Sequence, residues 1–399
     1  TFRIFGRLEC YGVEVGNDST EYPPVYVDPG GFFKAIDCTF TAPKDVEAKE
    51  ARLVLERCVF QGGGASFVAS GGSVASSRFE QAMLSVSRGG TPVVSDTVFT
   101  GCRALNAIYV SGGVPMIRDC RITGAGTATS PAVYIGENAK AEMHGCEITG
   151  SRSGAVEVTR ARVTLTTCRI SGGDGEANSV GIGQDGDATL IDCDITDSSR
   201  VGIMCISGKV TCTDVTITRP RASGVSVRSG AAELTRMAIT GTGLNALLLK
   251  EARAKVAGLR VEGGADARHT AVHAERSRLE LHEARITDSA AGAVVAQESS
   301  SVAIDSIAIE GVLFGLYARD DSTLTASDAD ISRCAQSGVL VGRASHADLR
   351  GARVSDCAEE AVRVSRSTLR LRDATIGDTP STGVAVLDSS SATVENTTI

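Results

Sequence analysis

The chain of 399 residues lacks tryptophan altogether and has only six tyrosines and ten phenylalanines. Aromatic platforms are the common device of sugar-binding surfaces, so the missing tryptophan weighs against such a surface. No uncharged apolar run reaches the roughly 18 residues of a membrane-spanning helix, which argues against a membrane protein. The net charge is only −8 while 42% of the residues are hydrophobic, which excludes a disordered chain. The mildly acidic balance also argues against nucleic acid as a partner.

A triplet made of a small or apolar residue, any residue and a large apolar residue recurs along the chain. It reads Cys38-Thr39-Phe40 near the start and Ala374-Thr375-Ile376 near the end. The large residue returns at intervals of 19 to 26 residues. A fixed period in this range is the signature of a solenoid or another repeat array. The large residues stand at positions 40, 60, 79, 99, 122, 148, 170, 195, 217, 239, 261, 286, 309, 331, 354, 376 and 399.

Each repeat contains three short segments in which apolar residues alternate with other residues, a period typical of strands. Besides the triplet there is a middle segment, such as residues 224–227, and a segment before the next triplet, such as residues 163–165. Gly, Asp, Asn and Ser between the segments are turn residues. Three strands per repeat, each paired with its counterpart one repeat away, predict an all-β parallel solenoid of about 17 coils of about 22 residues.

In coil length and pattern the repeat resembles the right-handed parallel β-helix of the pectin lyase-like superfamily. The resemblance covers residues 34–399 and includes no catalytic motif. It implies a right-handed coil. Because some bacterial β-helices of this kind are attached to AAA-type ATPase domains, it also allows such a domain in the same chain. Left-handed hexapeptide helices and leucine-rich repeats fit less well, because the former need a six-residue period and the latter an asparagine ladder.

The two ends of the chain differ from the repeat. Residues 1–33 do not follow it, yet they hold seven of the sixteen aromatic residues. An open solenoid end exposes core and unpaired backbone and therefore needs a cap. We interpret residues 1–33 as irregular N-terminal coils and a cap, and residues 34–399 as the β-helix. The sequence stops on the triplet Thr397-Thr398-Ile399, which predicts that the β-helix continues into, or is covered by, something beyond residue 399.

Cysteine is unusually abundant in this chain, with twelve residues, and the spacing of the cysteines predicts that they pack in the core. Six of them open a triplet, where later repeats carry residues such as Val215, Met237 or Ala329. This interchange is expected of buried thiols. No Cys-x-x-Cys pair exists, so we predict no metal site, and reduced thiols predict a cytoplasmic protein. The six are Cys38, Cys58, Cys120, Cys146, Cys168 and Cys193, and three more, Cys102, Cys334 and Cys357, share another column.

Enzymes of the pectin lyase-like superfamily need acidic residues that converge from neighbouring coils. Glycosidase carboxylates lie within about 5 to 9.5 Å of each other. The densest acidic group, in residues 174–197, lies mostly in a Gly-rich turn or alternates with opposite charges. This alternation favours a ladder of ion pairs, so we predict no catalytic residue and no cofactor. One outward column reads Arg121, Glu147, Arg169 and Asp194.

The outward positions of the middle segments predict an interaction face. One column is almost entirely Ala or Gly, and the next contains an apolar stripe that should be exposed; such stripes mark contact surfaces. Three repeats are longer at the turn before this strand, and insertions in solenoids gather on the binding face. The stripe consists of Met204, Leu248, Val295, Tyr317 and Leu340, and the polar candidates in the longer turns are Asp174, Glu176, Asn178, Arg268 and His269.

These features predict a non-catalytic β-helix scaffold or protein-interaction module that presents a flat rigid face within a larger protein or assembly. Its partner is expected to be another protein or a second copy of the chain. Two alternatives remain open at this point. One is a carbohydrate-active lyase or hydrolase of the pectin lyase-like type, and the other is a filament subunit that stacks end to end. An acidic cluster in a groove would mark the first, and the uncapped C-terminal end favours the second.

Overall fold

The computed structural model describes residues 1–16, 18–102, 106–173, 176–264 and 268–399. Over these residues the secondary structure consists of strands and turns, without an α-helix. Accordingly, no helix in the described part of the chain is long and apolar enough to cross a membrane. The chain divides into two compact units, Thr1–Arg200 and Val201–Ile399, and each contains nine coils of stacked strands. The predicted all-β parallel β-helix is confirmed.

Each coil of the first unit contains a middle strand, a pre-triplet strand and a triplet strand, in that order. The middle strands are Phe2–Ile4, Val25–Val27, Val46–Lys49, Ala65–Val68, Leu84–Ser87, Ile108–Ser111, Val133–Gly136, Val156–Thr159 and Val180–Gly183. The pre-triplet strands are Arg7–Tyr11, Phe32–Ile36, Arg52–Glu56, Gly71–Ala75, Thr91–Ser95, Met116–Arg118, Lys140–His144, Arg162–Thr166 and Asp187–Ile191. The triplet strands are Glu14–Gly16, Thr39–Ala42, Val59–Gly62, Arg78–Glu80, Val98–Thr100, Arg121–Thr123, Glu147–Thr149, Arg169–Ser171 and Asp194–Thr196.

The second unit repeats this order, but in three coils the pre-triplet and triplet strands merge into one long strand. The middle strands are Ile203–Ile206, Val225–Arg228, Leu247–Lys250, Val272–Glu275, Val294–Gln297, Leu316–Ala318, Val339–Gly342, Val362–Ser365 and Val384–Leu387. The pre-triplet strands are Lys209–Thr213, Ala231–Thr235, Arg253–Ala257, His346–Arg350, Thr368–Arg372 and Ser391–Glu395. The triplet strands are Thr216–Thr218, Ala238–Thr242, Arg260–Gly264, Arg353–Ser355 and Thr375–Ile376. The merged strands are Arg278–Ser289, Ser301–Glu310 and Thr323–Ser332.

Strands pair in parallel with their counterparts one coil away, and the register places like residues on like. Phe79 lies opposite Phe60 on one side and Phe99 on the other. Their rings stack with centroids 4.5 and 4.7 Å apart, which is the spacing of neighbouring strands. Period-two alternation turns these rings inward, and all three are fully buried. The large residue of each triplet therefore forms one continuous core column within the first unit.

Corners of the coils are turned by residues in the left-handed backbone region. Glu50 and Arg57 lie at two corners of one coil, with φ of 49° and 50°, and Asp37, one coil before Arg57, has φ of 55°. Asp and Asn tolerate this region better than other residues with a side chain, because their short polar groups bond locally. Much of the acidic content of the chain therefore serves as turn chemistry. The residue directly before the triplet is an aspartate in this backbone region at Asp37, Asp96, Asp119, Asp192, Asp214, Asp328 and Asp373.

Residues 1–33, interpreted above as irregular coils and a cap, contain strands that pair with the coils after them. Phe2–Ile4 pairs with Val25–Val27, and Arg7–Tyr11 pairs with Phe32–Ile36. Parallel pairing therefore begins at Phe2, ahead of residue 34. Phe5 is 70% exposed in this segment. Its role as a cap stays a prediction.

The cysteine column lies in the core as predicted. All six of its cysteines are at most 1% exposed, and all twelve cysteines of the chain are free thiols. The strand register also places Ser77 and Thr97 in the column, between Cys58 and Cys120. There the Cys58 backbone N–H donates to Ser77 Oγ over 3.0 Å. Burial raises the pKa of the Cys58 thiol to about 11, so this thiol is neutral at physiological pH.

A serine ladder in the second unit escaped the sequence analysis. The Ser277 backbone N–H donates to Ser300 Oγ over 3.0 Å, and the Ser300 N–H donates to Ser322 Oγ over 3.1 Å. The Ser322 N–H continues to Ser345 Oγ, also over 3.1 Å. All four serines are buried. They satisfy backbone groups that a tight corner leaves without a strand partner. Their signal in the sequence is a serine every 22 or 23 residues, directly before the pre-triplet segment.

The thiols give a direct test of this packing. Cys10 alone among the twelve is more than marginally accessible, since the other eleven are buried. In the folded protein we expect a thiol reagent such as Ellman's reagent to modify at most this one cysteine rapidly. All twelve should react after denaturation. Rapid labelling of several thiols in the folded protein, read by mass spectrometry, would contradict the buried column.

The phenylalanine stack gives a second test. Because Phe79 is enclosed between two stacked rings, Phe79→Ala should lower the free energy of unfolding by about 3 to 5 kcal/mol. The matched control is Val93→Ala on an outer strand position that is 42% exposed. Its effect should stay within about 0.5 kcal/mol. Urea unfolding followed by circular dichroism measures both, and equal losses would refute the stacked core.

Candidate functional site

The predicted interaction face maps onto the outward positions of the middle strands in the second unit, called here the middle-strand face. Two columns two residues apart along the strand form it, because alternate residues of a strand share a face. The first column reads Met204, Ser226, Leu248, His273, Val295, Tyr317, Leu340 and Arg363. The second reads Ile206, Arg228, Lys250, Glu275, Gln297, Arg319, Gly342 and Ser365.

The prediction that the apolar stripe is exposed is wrong for two of its five members, which are buried. Met204 is 8% exposed and Val295 is 3% exposed, whereas Leu248, Tyr317 and Leu340 are half-buried. For Val295 the reason is side-chain length. Neighbouring strands lie about 4.8 Å apart. The short Val295 side chain is therefore covered by the longer side chains of His273 and Tyr317 on the adjacent coils.

Three neighbours hold the Tyr317 ring in place. The Phe314 ring meets it edge-on with centroids 5.7 Å apart, and the Arg319 guanidinium lies 5.6 Å from its centroid. On the next coil the ring lies beside Gly342, where a Cβ would be in ordinary contact with it, 3.9 Å from Tyr317 Cε2. Phe314 also occupies the space that a side chain at Gly292 would need. The aromatic pair therefore covers part of the face, and only a portion of Tyr317 remains accessible.

The charged groups of the middle-strand face largely satisfy one another. The Lys250 ammonium and the Arg276 guanidinium each lie 2.8 Å from the Glu275 carboxylate, and Arg319 Nε donates to Gln297 Oε1 over 3.0 Å. Burial works against ionisation of Glu275, but the hydrogen bond from Lys250 holds its pKa below the usual value. A carboxylate fixed in this way is a structural ion rather than a proton donor at neutral pH.

His273 lies on the outer side of the middle strand and is half-buried. Its Nδ1 lies 3.4 Å from Thr270 Oγ1. Burial lowers the pKa of the imidazole to about 4. The ring is therefore neutral at physiological pH, and so low a pKa makes it a weak general base.

The column of Ala and Gly, predicted as outward, faces inward instead. A Cβ at Gly224 would lie 2.6 Å from Ile239 Cγ2, and one at Gly315 would lie 2.7 Å from Ile331 Cγ2. Both isoleucines are the large residues of their triplets. The column is small because the chain turns into the strand against the core, so it is a packing feature and not part of the face.

The polar candidates of the longer turns divide between the units. In the first unit Asp174 lies outside the described residues, Glu176 is exposed, and Asn178 Oδ1 is buried without a hydrogen-bond partner. In the second unit Arg268 is exposed and His269 is half-buried. Within the described residues, these side chains do not form a cluster that resembles an active site.

The acidic residues pair along the columns, as the sequence indicated. Arg121 lies opposite Glu147, and Arg121 Nε donates to Glu147 Oε2 over 2.9 Å. An open depression of about 800 Å³ on the pre-triplet strands of the second unit is lined by similar pairs. There the Arg278 guanidinium lies 3.0 Å from the Glu280 carboxylate. Over the described residues, no group of three or more His, Cys, Asp or Glu side chains could hold a metal ion.

The burial of His273 generates a pH prediction. Its pKa is lower in the folded chain than in the unfolded chain, so the unfolded state binds more protons between about pH 4 and 6.5. The contribution of neutral His273 to the free energy of unfolding is therefore fully present above pH 6.5 and is lost as the pH falls through that window. The loss at pH 5 is on the order of 1 to 2 kcal/mol. His273→Gln should reduce the acid loss, and the exposed His282→Gln is the matched control. Chemical denaturation at pH 7.5 and at pH 5 measures the stability lost on acidification. If His273→Gln lost as much stability as the wild type, His273 would not be the group responsible.

Comparison with known proteins agrees with this architecture. The family model described as "Right handed beta helix region" matches residues 106–257 and 245–399. No curated protein matches the chain.

Three solved structures are similar to the chain at low identity. The catalytic unit of an α-1,3-glucanase from Streptomyces thermodiastaticus is 10% identical, with a TM-score of 0.40, over 86% of this chain and 63% of that one. A mannuronic acid-specific polysaccharide family 6 lyase from human gut microbiota is 10% identical, with a TM-score of 0.41, over 80% and 77%. PfbA, a surface adhesin of Streptococcus pneumoniae, is 8% identical, with a TM-score of 0.37, over 85% and 84%.

The chain spans less than two thirds of that glucanase structure, and none of the three similarities says what this chain binds or acts on. The family match does establish the family of the chain, because it extends over more than half of the residues and coincides with the stacked parallel strands described above. The chain therefore belongs to the right-handed β-helix family.

Proposed function

We propose that the chain is a non-catalytic interaction module that binds a protein partner through the middle-strand face of the second unit. The observation that carries the proposal is the set of half-buried apolar side chains on this face. Leu248, Tyr317 and Leu340 each keep accessible apolar surface on a rigid sheet. A partner that covers them removes this surface from water, which favours binding by about 25 cal/mol for each square ångström buried.

The rim of the face supports the same function. Arg228 and Arg363 are exposed at the edges of the apolar group, and Ile206 is 45% exposed. Protein interfaces commonly have an apolar and aromatic centre with a polar rim, and Arg and Tyr are enriched in them. The middle-strand face has this composition, and its sheet backbone needs no rearrangement to present it.

The state of the titratable groups favours binding over catalysis. Glu275 is held by two cations, and the pKa of His273 is lowered by burial to about 4. Neither group is suited to proton transfer near neutral pH. A lyase or hydrolase of the pectin lyase-like type remains the second candidate, and activity on polyuronates that Asp→Ala changes abolish would support it instead.

Charge placed on the apolar group tests the proposal. Leu248→Asp and Leu340→Asp should leave the circular dichroism spectrum unchanged, because both side chains point away from the core. Each should weaken association by roughly tenfold or more, since an aspartate would lose its hydration in the contact. Val93→Asp, on an exposed position of the first unit, is the matched control.

The association is measured in two ways, because the partner is either a second copy or another protein. Light scattering over a range of concentrations detects self-association. A photo-crosslinking amino acid in place of Leu340, compared with one in place of Val93, should capture a partner at the first position only, and Tyr317→Asp should abolish that capture. A chain that stays monomeric and gives the same crosslinked products at both positions would refute the proposal.

A further inference from the structure

A second group of functional side chains lies on the middle strands of the first unit. Tyr109, Tyr134, Glu157 and Gly181 occupy directly opposed positions on four consecutive coils. The register of this pairing places Glu157 opposite Gly181. The two tyrosine rings stack with centroids 5.3 Å apart and an angle of 13° between their planes. A carboxylic acid therefore follows directly after a stacked aromatic pair.

Within the described part of the chain, Glu157 combines partial burial with the lack of a charge partner. Among the described residues, none forms a hydrogen bond or ion pair with its half-buried side chain. Burial alone raises the pKa of Glu157, since no neighbouring charge contributes to the shift. By contrast, Glu147 is paired with Arg121, and Glu137 lies 3.5 Å from Arg160. A partly desolvated carboxylate without a counter-ion is unfavourable in the free protein.

The space beside Glu157 is open. Gly181 and Gly183 supply both outward positions of the next coil, so the strand there presents bare backbone. Glu157 Cγ would lie 3.9 Å from a Cβ at Gly181, which places the side chain along the edge of this bare strip. On the other side Tyr134 leans over Gly136, where a Cβ would lie 2.6 Å from the phenol oxygen. The result is a notch with an aromatic wall and an unpaired carboxyl group.

We propose that this notch binds an organic cation, a guanidinium or ammonium group, with Glu157 as its counter-ion and Tyr134 as its aromatic wall. A cation supplies the charge partner that Glu157 lacks, and the electron-rich ring of tyrosine attracts cations as well. The nearby Arg160 does not fill this role, because it is engaged with Glu137.

The chemistry of the notch selects an organic cation over a metal ion. Calcium takes six to eight oxygen ligands, and magnesium requires octahedral geometry. The described residues around Glu157 provide no group of three or more acidic, histidine or cysteine ligands. A guanidinium or ammonium group needs only one carboxylate and gains further contact from the ring. The site lies in the first unit and does not depend on the proposed function of the second.

Isothermal titration calorimetry of the full chain at low salt tests the notch with two probes. Propylguanidinium offers a free guanidinium, and a blocked Gly-Arg-Gly tripeptide offers the same group on a peptide. Both should bind at millimolar concentrations, whereas propylurea, the neutral analogue of propylguanidinium, should not. Tighter binding of the tripeptide assigns the site to an arginine side chain of a partner protein, and tighter binding of propylguanidinium assigns it to a small molecule.

Variants of the notch separate this site from general attraction to an acidic chain. Glu157→Gln should weaken binding of both probes by about tenfold, since it removes the counter-ion. Tyr134→Leu should weaken it several-fold, while Tyr134→Phe keeps the ring and should bind like the wild type. Glu142→Gln removes an exposed carboxylate of the same unit and is the matched control. Absence of binding by both probes, or equal affinity in Glu157→Gln and Glu142→Gln, would overturn the proposal.

Discussion

The parallel pairing of each strand with its counterpart one coil away is the constraint on which the rest of each unit depends. It fixes the spacing between coils near 4.8 Å and sets like positions on top of each other. The stack from Phe60 to Phe99 exists because this spacing matches the thickness of an aromatic ring pair. The cysteine column also follows from this stacking of like positions, since a small apolar side chain such as cysteine packs well at a buried position of limited volume.

The same stacking decides what the outer surface can offer. An outward side chain loses accessible surface where its neighbours on the adjacent coils are longer. Val295 is buried because His273 and Tyr317 flank it, and the notch beside Glu157 is open because Gly181 follows it. Charges on successive coils are brought within reach of each other, and many acidic residues, such as Glu147 beside Arg121, form ion pairs. Such exposed pairs contribute little stability.

The period and the inward columns could be predicted from the sequence, because they depend only on alternation and coil length. The register with which strands pair across the lengthened repeats could not be predicted from the sequence. The strand Val180–Gly183 follows one of the lengthened segments, and only the observed strand pairing shows that Gly181 lies opposite Glu157. The serine ladder was missed for another reason: a buried serine is recognisable only when its backbone partner is known, as for Ser300 and Ser322. The exposure of an outward residue such as Val295 depends on the length of the side chains on the adjacent coils, so it too is known only from the packed structure.

By itself the sequence determined the class of fold, the three strands of each coil, the burial of the cysteines and the aspartate-rich corners. These follow from local alternation and backbone preference, which act within one repeat and need no knowledge of the others. Only the tertiary structure decided which outward side chains are accessible and which carboxylates are paired. Those properties belong to neighbouring coils rather than to single residues, so Glu157 and Glu147 look alike in the sequence, and only their neighbours make one of them unpaired.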